Sequence, residues 1–266
     1  EVTTETPYEW AQSVWTLEGG MPEAPHPIDE QLPLLVINSN SFSLLEGPPK
    51  GRRMFFDWLV FHVKHDFAEL WKQVSRCIKQ RNTLLRRDKI SYSDLEPWDA
   101  EIARLSTAIH EARLKCLALF KDEFDASMAE TSFAASTLAL EYTSGWKTDA
   151  GNFKEQLAAS FQRDCHLGYT TLGPHKSDLK ILIGRVPAVE VLSRGQQKVL
   201  ISALFFSEAK VFKQVSGRSP VFLIDDLPSE LDDSHQNLLS RWTQDLSAQV
   251  FVTGITPGVL FDSGAW

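Results

Sequence analysis

The sequence predicts an α/β fold that is interrupted by a helical hairpin. Short apolar runs typical of buried strands occur near both ends of the chain, at residues 34–37 and 221–224. Between them, two long segments repeat apolar residues at helical spacing. The final fifty residues then alternate strand, helix and strand, an order that produces parallel strands joined by a crossover helix.

The composition is that of a soluble globular protein. The 266 residues are 43% hydrophobic and 23% charged, enough for one large or two modest domains. No apolar run approaches the roughly 20 residues that cross a bilayer, and no secretory leader opens the chain. The three cysteines lack metal-ligand spacing, and their odd number argues against a disulfide framework. A reducing cytoplasm is therefore the predicted location.

The helical hairpin is predicted from two apolar stripes. The first stripe consists of Phe67, Leu70, Trp71, Val74, Cys77, Ile78 and Leu85. The second consists of Ile102, Leu105, Ile109, Ala112, Cys116 and Leu119. A break at residues 91–94 and Pro97 separates them. Two such helices joined by a short connection predict an antiparallel pair that packs along its apolar stripes.

The other elements follow from shorter patterns. The first 33 residues combine a strand-like start at 2–6 with a proline-rich loop. After the hairpin, strands are predicted at 137–142 and 179–183, with a helix at 153–165 between them. An apolar helix is predicted at 196–213, a polar helix at 233–246 and a last strand at 249–253.

Two acidic residues end the strand-like run at 221–226, which reads VFLIDD. Such a run is typical of a central parallel strand whose end faces a crevice. Asp225 is there the candidate Mg²⁺ partner, and Asp226 is the candidate base for an attacking water. The alternative is a strand end followed by a helix cap.

The run LSRGQQK at 192–198 predicts a helix that begins near Ser193 and Gly195, with Gln196 in its first turn. Free backbone N–H groups and the helix dipole form an anion site there, and a glycine permits close approach of a phosphate. An ordinary capped helix start is the alternative. The run PSELD at 228–232 likewise allows a capping role for Ser229 or Asp232.

A phosphate-binding P-loop is not found in the sequence. Residues 168–177 read GYTTLGPHKS and superficially resemble one, but the lysine comes two residues late. Pro174 also removes an N–H that a phosphate cradle needs. The segment precedes a predicted strand instead of opening a helix. It is therefore rejected as a P-loop.

Four blocks resemble the RecF family of SMC-related ATPases, and the resemblance covers roughly residues 34–253. They are FSLLEGPPKGRRMFFDW at 42–58, GPHKSDL at 173–179, LSRGQQK at 192–198 and FLIDDLPSELD at 222–232. The resemblance implies the C-terminal part of an ABC-type ATPase head with an inserted antiparallel helical-hairpin lobe. Residues 1–58 are then a remnant of the N-terminal ATPase lobe and a linker. Residues 59–135 form the helical lobe, and 136–266 form the C-terminal lobe with signature, Walker B and D-loop.

The resemblance also implies roles for particular residues. In this family, ATP is sandwiched between two heads and drives dimerisation, with weak hydrolysis. Ser193, Arg194, Gly195 and Gln196 would face ATP held by the other subunit. Asp225 would hold Mg²⁺ and Asp226 would be the catalytic carboxylate. Ser229 and Asp232 would belong to the D-loop.

The implied biology is recombinational gap repair, DNA replication and the SOS response. An ATP-dependent homodimer would bind single-stranded and gapped DNA in the cytoplasm at the nucleoid, and with RecO and RecR would assist recombinase loading. The candidate DNA contacts are Arg52, Arg53, Arg81, Arg86 and Arg87. The formal net charge of −8 argues mildly against nucleic-acid binding, but local basic patches decide such binding.

The chain departs from the family pattern in three ways. The N-terminal lobe with its P-loop is absent, and because the chain starts at Glu1 without Met we expect that its beginning is missing. Such a fragment would be inactive by itself. Ser39, Asn40 and Ser41 stand where the family usually has Pro-Glu-Gly, and no histidine after His235 can act as a switch. Two alternatives stay open: another SMC-like head, such as a RecN-type protein or a transporter subunit, and a non-catalytic DNA-binding or adaptor module.

Overall fold

The computed structural model of the chain describes residues 32–131, 138–225 and 232–253. These residues form nine α-helices and six strands, which confirms the predicted α/β class. In chain order they are β1 (Leu34–Ile37), α1 (Ser43–Glu46), α2 (Pro49–Val63), α3 (Phe67–Leu85), α4 (Tyr92–Ala129), β2 (Leu138–Thr143), α5 (Phe153–Ala159), α6 (Phe161–Leu167), β3 (Asp178–Ile183), β4 (Val186–Pro187), α7 (Ala188–Val191), α8 (Arg194–Ser216), β5 (Val221–Asp225), α9 (Asp233–Leu246) and β6 (Gln249–Thr253). The predicted strand and loop in residues 1–31 lie outside the described residues.

A parallel sheet carries the predicted acidic strand at its centre. Its strand order is β1-β5-β6, and Ile224 is in register with Ile37 on one side and Val252 on the other. The buried face of β5 packs on α8, where the Phe206 and Phe222 rings stack at 4.7 Å, and Phe206 also contacts Trp242 of α9. This confirms the strand, helix and strand unit predicted for the C-terminal end, with both helix and last strand at the predicted positions.

A second, antiparallel sheet has the order β2-β3-β4 and matches the two strands predicted after the hairpin. The single helix predicted at 153–165 is instead two short helices, α5 and α6, that meet at Ser160. The Ser160 hydroxyl lies 2.8 Å from the Leu157 carbonyl oxygen and 2.9 Å from the Asp164 carboxylate. Local side-chain bonding of this kind competes with helix continuation, which explains the break.

The helical hairpin is confirmed. Trp71 of α3 faces Arg113 of α4, and Arg81 faces Asp99, so the helices run antiparallel. The predicted break was placed too far along the chain: α4 begins at Tyr92, because Ser91 and Asp94 form a capping box, and Pro97 lies inside the helix. Pro97 therefore costs the helix one backbone hydrogen bond without ending it.

Helix α2 runs without interruption across the predicted boundary between residues 58 and 59. Pro49 occupies its first turn, where the missing N–H has no intrahelical partner to lose. The residues before the boundary are thus joined to the helical lobe by a continuous helix, and the three-part division of the chain stays a prediction. None of the described helices combines the length and apolar character needed to span a bilayer.

Arg113 in α4 is a buried link between the hairpin and the rest of the chain. Its Nε and Nη2 donate to the two oxygens of Asp57 in α2, at 2.8 and 2.7 Å. Its Nη1 donates to the Pro174 carbonyl and to Ser177 Oγ, at 3.1 and 2.9 Å. Four bonds to one guanidinium therefore join α4, α2 and the segment that leads into β3.

Arg81 in α3 forms a second buried link nearer the hairpin tip. Its Nε donates to Asp99 of α4 at 2.6 Å, and its Nη1 donates to Asp164 of α6 and to Thr170 Oγ1, at 2.7 and 3.0 Å. All three charged side chains are fully buried. Burial raises the pKa of Asp99, and the Arg81 charge opposes that shift.

Replacing Arg113 should show how strongly the hairpin depends on these links. We expect Arg113→Met to lower the free energy of unfolding by about 3–5 kcal/mol, because it leaves Asp57 buried without its partner. Urea unfolding followed by circular dichroism measures the change. Arg104→Met is the matched control, since Arg104 lies on the same helix in an exposed pair with Glu101 and its loss should change little. Equal losses for both variants would contradict the expectation.

Glu208 lies in the middle of α8 and is fully buried. Burial raises its pKa well above the usual 4.5, and a hydrogen bond with the Leu59 backbone opposes this shift only partly. A raised folded pKa means that the unfolded carboxyl ionises first as pH rises, so the parent chain loses stability above about pH 4.5. Glu208→Gln should therefore gain stability over the parent as pH rises above about 5. Urea unfolding between about pH 5 and pH 8 measures the gain. Exposed Glu111→Gln is the control, and a pH-independent difference for Glu208→Gln would refute the expectation.

Candidate nucleotide site

The predicted signature loop forms the exposed N-terminus of α8. Ser193 caps the helix: its Oγ accepts the Gln196 N–H at 3.3 Å, and its own N–H donates to Gln196 Oε1 at 3.0 Å. This reciprocal box starts the helix at Arg194, which confirms the helix start predicted near Ser193 and Gly195. The backbone N–H groups of Arg194 and Gly195 have no partner within the helix, so they are available to an anion.

Gly195 has no steric reason to be glycine within the described chain. A Cβ atom at this position would meet nothing within 4 Å, and the residue is solvent-exposed. Glycine in a helix is less stable than alanine by roughly 0.5–1 kcal/mol, so the fold alone would favour alanine here. The described chain therefore leaves space at Gly195 in which a ligand or a second subunit could approach the backbone.

The loop is anchored by side chains that the sequence analysis did not single out. Arg194 pairs with the Glu46 carboxylate, and its guanidinium lies 5.3 Å from the ring centre of Phe42. Buried Gln197 donates from Nε2 to the Leu192 and Val189 carbonyls, at 3.0 and 3.3 Å. The spacing of Gln197 from Leu200 and Leu204 places it on the buried face of α8, so its burial could have been predicted from the sequence. No comparable signal marked Glu46.

Asp225 lies at the carboxyl end of β5, as predicted. It is in register with Thr253 of β6, and the Thr253 hydroxyl donates to Asp225 Oδ1. This partner could not be predicted from the sequence, because register between strands is not visible from local spacing. Asp226 and Ser229 lie outside the described residues, so the predicted catalytic carboxylate and D-loop serine stay predictions.

Asp225 has the residue type and the position expected of a Mg²⁺ ligand. Mg²⁺ in phosphate sites commonly takes one or two carboxylates and completes its shell with phosphate oxygens and water. Within the described ranges, no group of three or more His, Cys, Asp or Glu residues could hold a metal without such help. The Asp225 carboxylate, which accepts a hydrogen bond from the Thr253 hydroxyl, could supply one such ligand.

Asp232 caps helix α9. Its Oδ1 accepts the His235 N–H at 3.0 Å and the Ser234 hydroxyl at 2.6 Å, and its Oδ2 lies 2.8 Å from His235 Nδ1. These hydrogen bonds, first that from Ser234, lower the pKa of Asp232 to about 2. The capping alternative thus accounts for the conformation of Asp232, and its D-loop role stays a prediction.

The structure contradicts one predicted DNA contact and assigns internal partners to others. Arg81 is wrong as a DNA contact, because its guanidinium is fully buried on two carboxylates. Arg52 makes a two-bond pair with Asp178 at 2.8 and 3.0 Å, and Arg53 donates to the Ser177 carbonyl at 2.7 Å. A DNA role for these two stays a prediction beside that packing role. Arg86 and Arg87 are exposed.

The structure confirms that residues 168–177 do not form a P-loop. Gly168 ends α6 in the left-handed conformation, with φ 73°. Pro174 begins a single 3₁₀ turn, and β3 follows it instead of a helix. The threonine side chains bond within the chain, Thr170 to Asn82 and Thr171 to Asp164. The segment therefore has neither the shape nor the free donors of a phosphate cradle.

Comparison with curated proteins gives close relatives. A DNA replication and repair protein RecF from Saccharophagus degradans is 52% identical over 249 residues, which are 93% of this chain and 68% of the relative. The chain belongs to the RecF family. RecF relatives from Teredinibacter turnerae and Cellvibrio japonicus are 52% and 46% identical, and cover 86% and 84% of the chain. The chain spans only 61% of the length of each of these two relatives.

Solved structures of RecF proteins share the fold. A RecF–ATP structure described as a recombination mediator of the RecFOR pathway aligns with a TM-score of 0.75 at 22% identity, over 91% of this chain and 67% of the other. A related RecF–ATPrS structure aligns with a TM-score of 0.72 over 84% and 62%. No family model matches the chain. RecF membership decides against the alternatives of a RecN-type head or a transporter subunit.

Gly195→Ala tests whether the fold itself needs this glycine. We expect it to raise the free energy of unfolding by up to about 1 kcal/mol, because alanine loses less backbone entropy and meets no neighbour. Gly217→Ala is the matched control at the other end of α8. It also meets no neighbour but has φ +69°, so it should destabilise the chain by about 1 kcal/mol. A loss of stability in Gly195→Ala would show that the glycine serves the fold.

Proposed function

We propose that this chain forms the signature-bearing part of an ATP-dependent DNA repair protein. The exposed N-terminus of α8 would bind the γ-phosphate of ATP held by a second subunit. The single observation that carries the proposal is the bare, uncontacted backbone of Gly195 at a capped helix start. A helix N-terminus favours negative charge, and the absence of a side chain lets a phosphate reach the N–H groups.

The catalytic part of the proposal concerns the end of β5. Asp225 would hold a Mg²⁺ ion on the phosphates, and Asp226 would orient or deprotonate the attacking water. Bound Mg²⁺ would supply charge neutralisation on the phosphate oxygens. Thr253 would keep the Asp225 carboxylate in one orientation. Hydrolysis would be weak and would release a dimer that ATP binding had formed.

The names of the relatives support the biological part of the proposal. The curated relatives are named DNA replication and repair proteins, and the RecF structure with ATP is described within the RecFOR pathway. For this chain we propose binding of single-stranded and gapped DNA during recombinational repair, replication and the SOS response. RecO and RecR would be its partners in recombinase loading, and the cytoplasmic nucleoid its location.

A mixed-subunit experiment tests the proposal. The chain is combined with the full-length Saccharophagus degradans relative, and complex formation is measured by analytical ultracentrifugation with and without ATP and Mg²⁺. We expect an ATP-dependent complex, because the relative would supply bound ATP and this chain the signature face. Ser193→Arg should weaken the complex at least about tenfold, since a bulky side chain would block the phosphate.

Ser75→Arg provides the control for the mixed-subunit experiment. It makes the same chemical change at an exposed position on α3, outside the signature loop, and should leave the complex intact. A complex that forms equally with Ser193→Arg, or without ATP, would contradict the signature role. Such a result would favour the alternative of a non-catalytic adaptor that retains only the fold.

A further inference from the structure

One face of α3 carries basic side chains in a regular row. Lys72, Arg76, Lys79 and Arg86 are all exposed, and their spacing of four, three and seven residues places them on the same side of the helix. The apolar stripe of α3 is buried on the opposite side against α4. Arg87 and Lys89 continue the row into the connection between the helices. We call these six residues the α3 stripe.

Few acidic residues lie near the α3 stripe in the sequence. A solvated helix face usually interleaves acids with bases three or four residues apart. Here Glu69 lies at the start of the helix and bonds to Gln73, and Asp88 is the one acid between residues 70 and 93. Asp94, at the start of α4, lies close enough to Arg87 to interact with its charge. Among the described residues, no ion pair within 4 Å includes Lys72, Arg76 or Lys89. The chain as a whole has 35 acids and 27 bases, so this row departs from its surroundings.

An exposed aromatic side chain lies at the end of the stripe. Arg86 donates from Nε to the Gly168 carbonyl at 3.2 Å, which holds the turn at 168–171 against the end of α3. Asn82 Oδ1 fixes the same turn by accepting the Thr170 N–H at 2.7 Å. The next side chain, Tyr169, is 41% exposed, and the Lys176 ammonium lies 5.2 Å from its ring centre. A fixed turn thus presents an aromatic ring and a cation beside the basic row.

We propose that the α3 stripe binds the phosphates of single-stranded DNA and that Tyr169 stacks on an adjacent base. The stripe runs about 21 Å along α3 between Lys72 and Arg86, long enough to contact several phosphates. A positive track beside an aromatic platform is the general arrangement for binding single strands without sequence preference. The proposal rests on the proposed function for its DNA partner. The DNA contacts are thereby assigned to exposed residues of α3 in place of Arg81, which is buried on the same helix.

The first measurement compares two triple variants of the full chain. Fluorescence anisotropy follows binding of a short single-stranded oligonucleotide between about 50 and 200 mM salt. We expect Lys72→Gln/Arg76→Gln/Lys79→Gln to weaken binding at least about tenfold. The slope of log affinity against log salt should fall by about 2, since each lost contact to a single strand removes about 0.7. The matched control is Lys115→Gln/Lys121→Gln/Arg185→Gln, which changes the charge equally at exposed positions elsewhere.

The second measurement isolates the aromatic contribution. Tyr169→Ala should weaken single-strand binding about fivefold or more and leave duplex binding unchanged, because only an unpaired base can stack on the ring. Tyr169→Phe keeps the ring and should retain the affinity of the parent. Because Tyr169 is exposed, thermal unfolding of both variants should match the parent and exclude misfolding as a cause.

The outcomes separate this proposal from the proposed function. Equal binding by the two triple variants would overturn the α3 stripe as the DNA surface and leave the signature role untouched. Absence of single-strand binding by the chain at low salt would also overturn it, since the stripe needs no nucleotide to attract phosphates. Failure of the ATP-dependent mixed complex, with the stripe result intact, would reject the signature role alone.

Discussion

Two buried guanidinium groups determine how the hairpin joins the rest of the chain. Removing a charge from water costs several kcal/mol, so a buried arginine is tolerated only where carboxylates and carbonyl groups satisfy it. Arg113 finds these groups on α2 and at residues 174–177, and Arg81 finds them on α4, α6 and Thr170. Both arginines therefore require the segment from Asp164 to Ser177 to lie along the hairpin. That requirement orients α3 and places the turn of Tyr169 at its end.

On one side of the signature loop, polar groups form hydrogen bonds within the chain. On the other side, the backbone of the loop is exposed. Ser193 and Gln196 bond to each other, and Gln197 ties the preceding loop to the body of the protein. The opposite side presents two backbone donors and a glycine with no neighbour. A loop whose conformation is already fixed by its own hydrogen bonds loses little conformational entropy when it binds an anion.

Periodicity and local capping made much of the fold predictable. The apolar stripes gave both hairpin helices, and the acid-ended strand, the following helix and the last strand were located from their residue patterns. The split at Ser160 and the start of α4 at Tyr92 were missed, because single hydroxyl and carboxylate contacts decide them. The burial of Arg81 could not be predicted, since its partner Asp164 is 83 residues away and leaves no local spacing. The same limit hid the pairing of Asp225 with Thr253.

The length of α4 determines how far the hairpin tip moves when the other end of the helix is rotated. One end of α4 lies against α8, where Lys210 donates to Ser127 Oγ at 3.1 Å, and the other end forms the hairpin tip about 52 Å away at 1.5 Å per residue. Direct packing of α4 on α8 joins this rod to the signature helix. A rotation of about 5° imposed where a second subunit docks would thus sweep the tip through roughly 4–5 Å. A small tilt at that docking surface would therefore become a displacement of the tip comparable to a nucleotide's own dimensions.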